Sequence, residues 1–194
     1  MNQMDIRIIQ ANPSDVEAIA AIGRSSFHDA FEHLFESKAE LSEYLDYTYA
    51  PGKIRKSIQK ENNIYFLAMK ENIPAGFVKM KKNSLNAQIE SVAQMELQKI
   101  YVLSENHSKG IGLALMNKAI QYAQLARPDY IWLDVQVSNE KATRFYLKRG
   151  FTIAGKHFFK IGTQTFEFIL MIFPIYKKEQ PHFKPEKTAY GTDK

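Results

Sequence analysis

The chain has 194 residues, 45% of them apolar, with thirteen Phe, ten Tyr and no Cys. That length fits one compact domain with a real core and excludes global disorder, while the missing cysteine excludes disulfides, thiol nucleophiles and Cys-ligated metals. The net charge of +5 is modest, and the stretch from Lys177 to Lys194 carries +2 of it, five Lys against Glu179, Glu186 and Asp193, so no dense basic run marks a nucleic-acid binder.

The N-terminus reads MNQMDIRIIQ and lacks the basic start and apolar run of a signal peptide. No apolar stretch approaches the roughly 18 residues that span a bilayer, and the expected setting is the cytoplasm, in soluble form. Ile6 to Ile9 reads as a first strand. Asn12-Pro13-Ser14-Asp15 opens a helix, with Asn12 or Ser14 as cap and Pro13 in the first turn. Phe27 to Tyr49 continues at helical spacing, as two helices broken near Ser37-Lys38, and Lys53 to Lys60 is a third short helix. Ile64 to Met69 and Ile73 to Lys81 form a hairpin about Glu71-Asn72. Residues 83 to 92 are polar and read as a loop. Gln94 to Leu103 is a strand, Gly110 to Ala126 a helix, Tyr130 to Val137 a strand and Asn139 to Arg149 a helix closed by Gly150. Phe151 to Phe159 and Thr165 to Phe173 make a final hairpin around Gly162. This order predicts an α/β fold, a mixed sheet of about seven strands with helices on both faces. The domain spans 1–176, and 177–194 is a flexible basic tail. A Rossmann fold puts its Gly-rich turn after the first strand; here it follows the fourth.

That turn is His107-Ser108-Lys109-Gly110-Ile111-Gly112, between a strand and a helix. Two glycines two apart let backbone pass close to a ligand. The bare amides and dipole of a helix start favour negative charge, and Lys109 adds a full positive charge. These are the requirements for holding a pyrophosphate, although two glycines also suit a tight turn and close helix packing. No Walker ending follows, which excludes a nucleoside triphosphatase of that type.

The segment resembles the acyl-CoA-binding motif of the GCN5-related N-acetyltransferase (GNAT) superfamily: Gln or Arg, two residues, Gly, any residue, Gly or Ala. The departure is His107 at the Gln/Arg position. A second resemblance lies downstream in Leu133-Asp134-Val135-Gln136-Val137-Ser138-Asn139 through Phe145-Tyr146 to Gly150-Phe151: a strand, an Asn at a helix start, an aromatic-Tyr pair, then Gly-Phe. The resemblance implies a GNAT-like twisted sheet and transfer of acetyl from acetyl-CoA to a primary amine. It implies that backbone groups of Lys99, Ile100, Tyr101 and Val102 pair with the pantetheine amides, one N–H polarising the thioester carbonyl. It further implies that His107 to Gly112 hold the diphosphate, that Asn139 caps its helix and meets the pantetheine arm, and that Tyr146 protonates the departing sulfur. The bland alternative for Tyr146 is a buried helix aromatic. Glu96 stands where the family often carries a carboxylate that deprotonates the amine through water; the alternative is a strand Glu paired with a Lys. His28, His33, His107, His157 and His182 show no metal-ligand spacing with carboxylates.

Asp29, Glu32, Glu36, Glu40 and Glu43 recur at steps of three and four. On one helix, or two in line, they form an acidic stripe, either a solvated face or a focus for a cationic acceptor. Phe27 to Tyr49 also resembles the bacterial spermidine/spermine acetyltransferases linked to protease production and sporulation control, which implies a polyamine acceptor bound by Asp29, Glu32 and Glu36. A protein Lys or N-terminal amine, another small amine, and a non-catalytic acyl-CoA-sensing role stay open, as do monomer and homodimer.

Overall fold

The computed structural model describes residues 5–176; the expected tail, 177–194, lies outside them. Strand β1 (Ile6–Gln10) leads into a 3-10 turn, Pro13–Asp15, and helix α1 (Val16–Phe31). The Asn12 side chain accepts from the Ser14 N–H at 2.9 Å, and the Asp15 carboxylate accepts from the Asn12 N–H at 2.8 Å, a reciprocal cap. Val16, Ile19, Ala20, Ile22 and Phe27 form the buried stripe of α1. A second 3-10 turn, Glu32–Leu34, ends that run, and α2 (Lys38–Thr48) starts anew from Ser37, whose hydroxyl caps the Glu40 N–H at 3.2 Å. Helix α3 (Pro51–Ile58) begins two residues before its expected start, because Pro51 takes the first-turn position.

Strands β2 (Asn63–Lys70) and β3 (Ile73–Lys82) join through Glu71 and Asn72, both with positive φ, the backbone of a tight two-residue hairpin. Then come β4 (Gln94–Val102), a 3-10 turn (Ser104–Asn106), α4 (Ile111–Ala126), β5 (Tyr130–Gln136), α5 (Glu140–Leu147), β6 (Thr152–Ile161) and β7 (Gln164–Pro174). They build one seven-stranded sheet in the order β1-β2-β3-β4-β5-β7-β6. Only β4–β5 is parallel; the last strand inserts between β5 and β6.

Each face of the sheet carries a core. On one side α4 and α5 cover Met95, Leu97, Ile131, Leu133 and Val135, with Leu115, Met116 and Phe151 filling the interior. On the other, α1, α2 and α3 cover Tyr65, Leu67 and Phe77. The 83–93 loop closes a smaller cluster of Ile89, Tyr130, Trp132, Leu170 and Ile172, and the Trp132 indole N–H donates to the Ser84 carbonyl at 2.8 Å. This is the expected α/β architecture with helices on both faces. Among the described residues no helix is long and apolar enough to cross a membrane.

Candidate active site

The parallel pair β4–β5 lasts three residues, Gln94↔Tyr130 to Glu96↔Trp132. Beyond it β4 keeps only β3 and β5 keeps only β7. A bulge at Gln98, between the pairs Met80↔Leu97 and Lys79↔Lys99, bends β4 away at that point. The result is a wedge open at the carboxyl ends of the strands, the usual place for a ligand in an open α/β sheet. The Leu103 N–H donates to the Ala75 carbonyl at 3.0 Å. By the alternation of antiparallel pairing, Tyr101 likewise bonds toward β3, and the backbone of Ile100 and Val102 faces the wedge. Of the four residues expected to offer backbone here, two do so. Lys99 and Tyr101 send side chains to the face under α1 and α2, where Tyr101 packs with Phe77 and Tyr49.

From the wedge the chain turns into α4. Ser108 (φ 61°) and Gly110 (φ 83°) are left-handed. The first bond of α4 runs from the Ala114 N–H to the Gly110 carbonyl at 2.9 Å, so the amides of Ile111, Gly112 and Leu113 have no helical acceptor. A Cβ at Gly112 would meet only Val102 Cγ2, at 3.8 Å, so the ground before these amides is open. Two expectations need correction, those for His107 and Lys109. The His107 amide is not bare: it donates to the Ser104 carbonyl at 3.1 Å, and its ring Nε2 lies 2.9 Å from the Val102 carbonyl. The ring therefore pins the turn to the strand, with Lys141 Nζ 3.5 Å from Nδ1. The Lys109 ammonium folds back on the Glu105 carbonyl at 2.6 Å and stays off the cavity wall. The Ile111 side chain is core, and its role toward a ligand is that of its amide.

A cavity of about 940 Å³ runs from this turn through the wedge to the face under α1 and α2. Tyr146, on α5, lines it. Its ring is fixed between Phe145 and Phe151, with centroids 5.5 and 5.7 Å away. Burial pushes its phenol well above the ordinary value, so the group stays protonated. Asn139 caps α5 by accepting from the Ala142 N–H at 3.1 Å and also lines the cavity. Glu96 lines it at the fork of β4 and β5, its carboxylate accepting from the Ser84 hydroxyl at 2.8 Å. Across the β3–β4 register stand Lys79 and Lys99. Burial lowers both to about 8, against the opposing pull of Glu96. The Lys99 ammonium lies 5.3 Å from the Tyr49 ring and 5.8 Å from the Tyr101 ring.

The acidic stripe does not form as expected. The 3-10 break over 32–34 interrupts the helical phase. Asp29 lines the cavity, whereas Glu32 opens on a smaller outer hollow beside His28 and Lys38. Glu36 lines neither hollow; its N–H donates to Gln164 Oε1 at 2.9 Å. Glu40 clamps the β6–β7 turn by accepting from the Thr163 hydroxyl at 3.0 Å, and Gln164 Nε2 donates to the Leu34 carbonyl at 3.1 Å. The hairpin is thereby tied over the acceptor end, whose aromatic wall includes Phe27, Phe31, Phe35, Phe166 and Phe168.

Among the lining residues without a role in the sequence reading are Asp134 on β5 and His157 on β6. Asp134 is the one charged residue of YIWLDVQ, a signal in itself. His157 carries none, because only the placement of β7 between β5 and β6 brings it near. Among the described residues no group of three or more His, Asp or Glu is placed to hold a metal ion.

Residues 25–151 match the family model described as the acetyltransferase (GNAT) family. An uncharacterized N-acetyltransferase of Lactobacillus delbrueckii subsp. lactis is 24% identical over 157 residues, 81% of this chain and 90% of that one. The fold is similar to that of the PaiA N-acetyltransferase from Thermoplasma acidophilum in complex with coenzyme A (TM-score 0.70, 20% identity, 88% of this chain and 99% of that one). It is also similar to the ribosomal-protein-S18-alanine N-acetyltransferase from Escherichia coli (TM-score 0.66, 18% identity, 91% and 97% covered).

Proposed function

This chain belongs to the acetyltransferase (GNAT) family, an acetyl-CoA-dependent N-acetyltransferase, and we propose on that footing how its residues divide the work and which amine it takes. The observation that carries the reading is the fork of β4 and β5 after Glu96 and Trp132, leading directly into the bare amides at the start of α4. The residues fit the cosubstrate. Gly112 has no side chain to obstruct a diphosphate, and the amides of Ile111, Gly112 and Leu113 offer donors with the helix dipole behind them. His107 and Ser108 shape that turn. The outward backbone of Ile100 and the N–H of Val102, whose carbonyl is engaged by the His107 ring, take the place of a missing strand partner and hold the pantetheine amides, beside Asn139. Tyr146, kept protonated by burial, gives its proton to the departing sulfur.

The acceptor is a primary amine, and a polyamine such as spermidine or spermine suits the site. Asp29, Glu96 and Asp134 bring three carboxylates to the acceptor end against the Lys99 ammonium, which favours a cation. The aromatic wall takes an alkyl chain, and the hairpin tied down by Glu40 and Gln164 favours a slender acceptor over a folded protein surface. The Thermoplasma protein's name supports the cofactor reading and the Escherichia protein's name a peptide amine; their likeness in fold does not separate the two. A thiol-release assay with acetyl-CoA over polyamines, diamines, amino acids and Lys peptides tests the assignment. Fastest release with spermidine or spermine is expected. Coenzyme A binding without turnover of any amine overturns the enzyme reading in favour of a sensor, and preference for a peptide overturns the polyamine.

A further inference from the structure

The acceptor's ammonium must lose a proton before its nitrogen can attack, and the cavity offers more than Glu96 for that task. Gln136, Phe168 and His157 stand in register across β5, β7 and β6, and Asp134 lies two residues before Gln136 on the same face. The His157 ring therefore reaches diagonally over β7. It stacks on Phe168 with centroids 5.8 Å apart and planes 18° from parallel. Its Nδ1 lies 3.1 Å from Asp134 Oδ1. Both residues line the cavity that holds Tyr146. Glu96, by contrast, has one oxygen engaged by the Ser84 hydroxyl and lies in the field of Lys79 and Lys99.

We propose that His157, held by Asp134, is the group that takes the proton from the acceptor ammonium. The assignment rests on the acetyl-transfer reading and replaces Glu96 in that role. Imidazole is the side chain that exchanges protons near neutral pH; the stack on Phe168 sets the ring's orientation, and the carboxylate 3.1 Å from Nδ1 stabilises the imidazolium by its charge. One ammonium proton passes to His157. The freed lone pair forms the C–N bond to the acetyl carbonyl, the C–S bond breaks, and Tyr146 protonates the sulfur. The second proton on nitrogen restores the Tyr146 phenol by way of solvent, and His157 releases its own to solvent. His157 is thus a catalytic residue and Asp134 a positioning residue. The other charged or titratable groups around the cavity are Asp29 on α1, His33 on the 3-10 turn, Tyr44 on α2, Glu96, Lys99 and Tyr101 on β4, Glu140, Lys141 and Tyr146 on α5, and His107. Glu167 on β7 pairs with Lys156 at 2.7 Å, on the other face of the hairpin.

The test measures kcat and kcat/KM against pH with acetyl-CoA and the amine that wild type turns over fastest. His157→Gln and His157→Ala should each lower kcat roughly 100-fold, with coenzyme A affinity and melting temperature kept. Added imidazole should restore at least tenfold in the alanine variant and nothing in wild type. Asp134→Asn should lower kcat about tenfold and move the acidic limb of kcat/KM to lower pH, because the imidazolium loses its counter-charge. His157→Gln within threefold of wild type with an unchanged pH profile overturns the assignment, as does a folded alanine variant that imidazole does not rescue. If the histidine variants fail to bind coenzyme A, the Asp134→Asn limb decides: a shift upholds the pair and an unmoved limb rejects it. Wild type inert toward every amine sinks the acetyl-transfer reading itself, and this assignment with it.

Discussion

On the β4–α4 side of the cavity, the groups that meet a ligand are amides and carbonyls left over by the fold: Ile100 and Val102 along a strand that has lost its neighbour, and the first turn of a sixteen-residue helix. On the α1 and β6–β7 side they are side chains, brought together from distant elements and tied by Glu40, Gln164 and the Asp134–His157 contact. The two halves are vulnerable in opposite ways. Deleting a side chain cannot remove an amide, so the backbone-built half is damaged by adding atoms and charge. The other half is damaged by taking atoms away.

The largest effect should follow from an addition. A Cβ at Gly112 meets only Val102 Cγ2 at ordinary contact distance, so the fold tolerates Gly112→Asp, yet the new carboxylate stands at the helix start where the diphosphate is assigned. Coenzyme A affinity should drop about 100-fold, or roughly 2.7 kcal/mol, by calorimetry. Affinity equal to wild type would show that the diphosphate lies elsewhere. Tyr146→Phe should come next, with kcat lowered about 100-fold and coenzyme A affinity unchanged, since only the hydroxyl is lost. The sign of the pH effect follows from burial: a phenol held above its ordinary value remains a proton donor as pH rises, so Tyr146 contributes no alkaline decline of kcat below pH 10. A decline that vanishes in the phenylalanine variant contradicts this.

This asymmetry also governs how much of the molecule is legible in its sequence. The strand, the turn with Gly110 and Gly112, and the start of α4 are contiguous in sequence, and the capped helix from Asn139 to a left-handed Gly150 is equally local. The seven strands and the helices on both faces follow from such local patterns. Register does not. The bulge at Gln98, the choice of Ile100 and Val102 as the outward pair, and the insertion of β7 between β5 and β6 are settled by pairing between distant segments. The acidic stripe misled because a period of three and four persists through Glu32 to Glu36, where Phe35 leaves the helix to pack on Phe166, 5.1 Å between centroids. Tertiary packing overrode the local pattern there. His157 was invisible for the same reason, lying far from Asp134 in sequence.

A smaller effect should come from loosening the acceptor half. Glu40→Ala removes the clamp on Thr163, and Gln164→Ala frees Leu34 and Glu36 from the hairpin. Each should raise the amine KM about fivefold, or roughly 1 kcal/mol, and leave coenzyme A affinity where it was. Steady-state kinetics against both substrates separates the outcomes. Equal damage to both affinities would mean that the two halves are not independent.

The last effect concerns stability. Lys79 and Lys99 face each other across β3 and β4, and burial lowers each ammonium from 10.5 to about 8. Between those values the unfolded chain binds more protons than the fold, so stability rises with pH from about 8 upward. Below that window both states hold the protons and the slope disappears. The buried tyrosines act in the opposite sense only near and above pH 10, where unfolded phenols begin to ionise. Urea unfolding between pH 8 and 9.5 should therefore show a gain of roughly 1 to 2 kcal/mol per pH unit, about 1.4 for each proton by which the two states differ. Lys99→Met should flatten that gain, and at pH 7 it should stabilise the protein by removing a desolvated charge. A wild-type slope that is flat or falling in this window would mean that Lys79 and Lys99 keep their ammonium groups in water, and that the acceptor half is wetter than its aromatic wall implies.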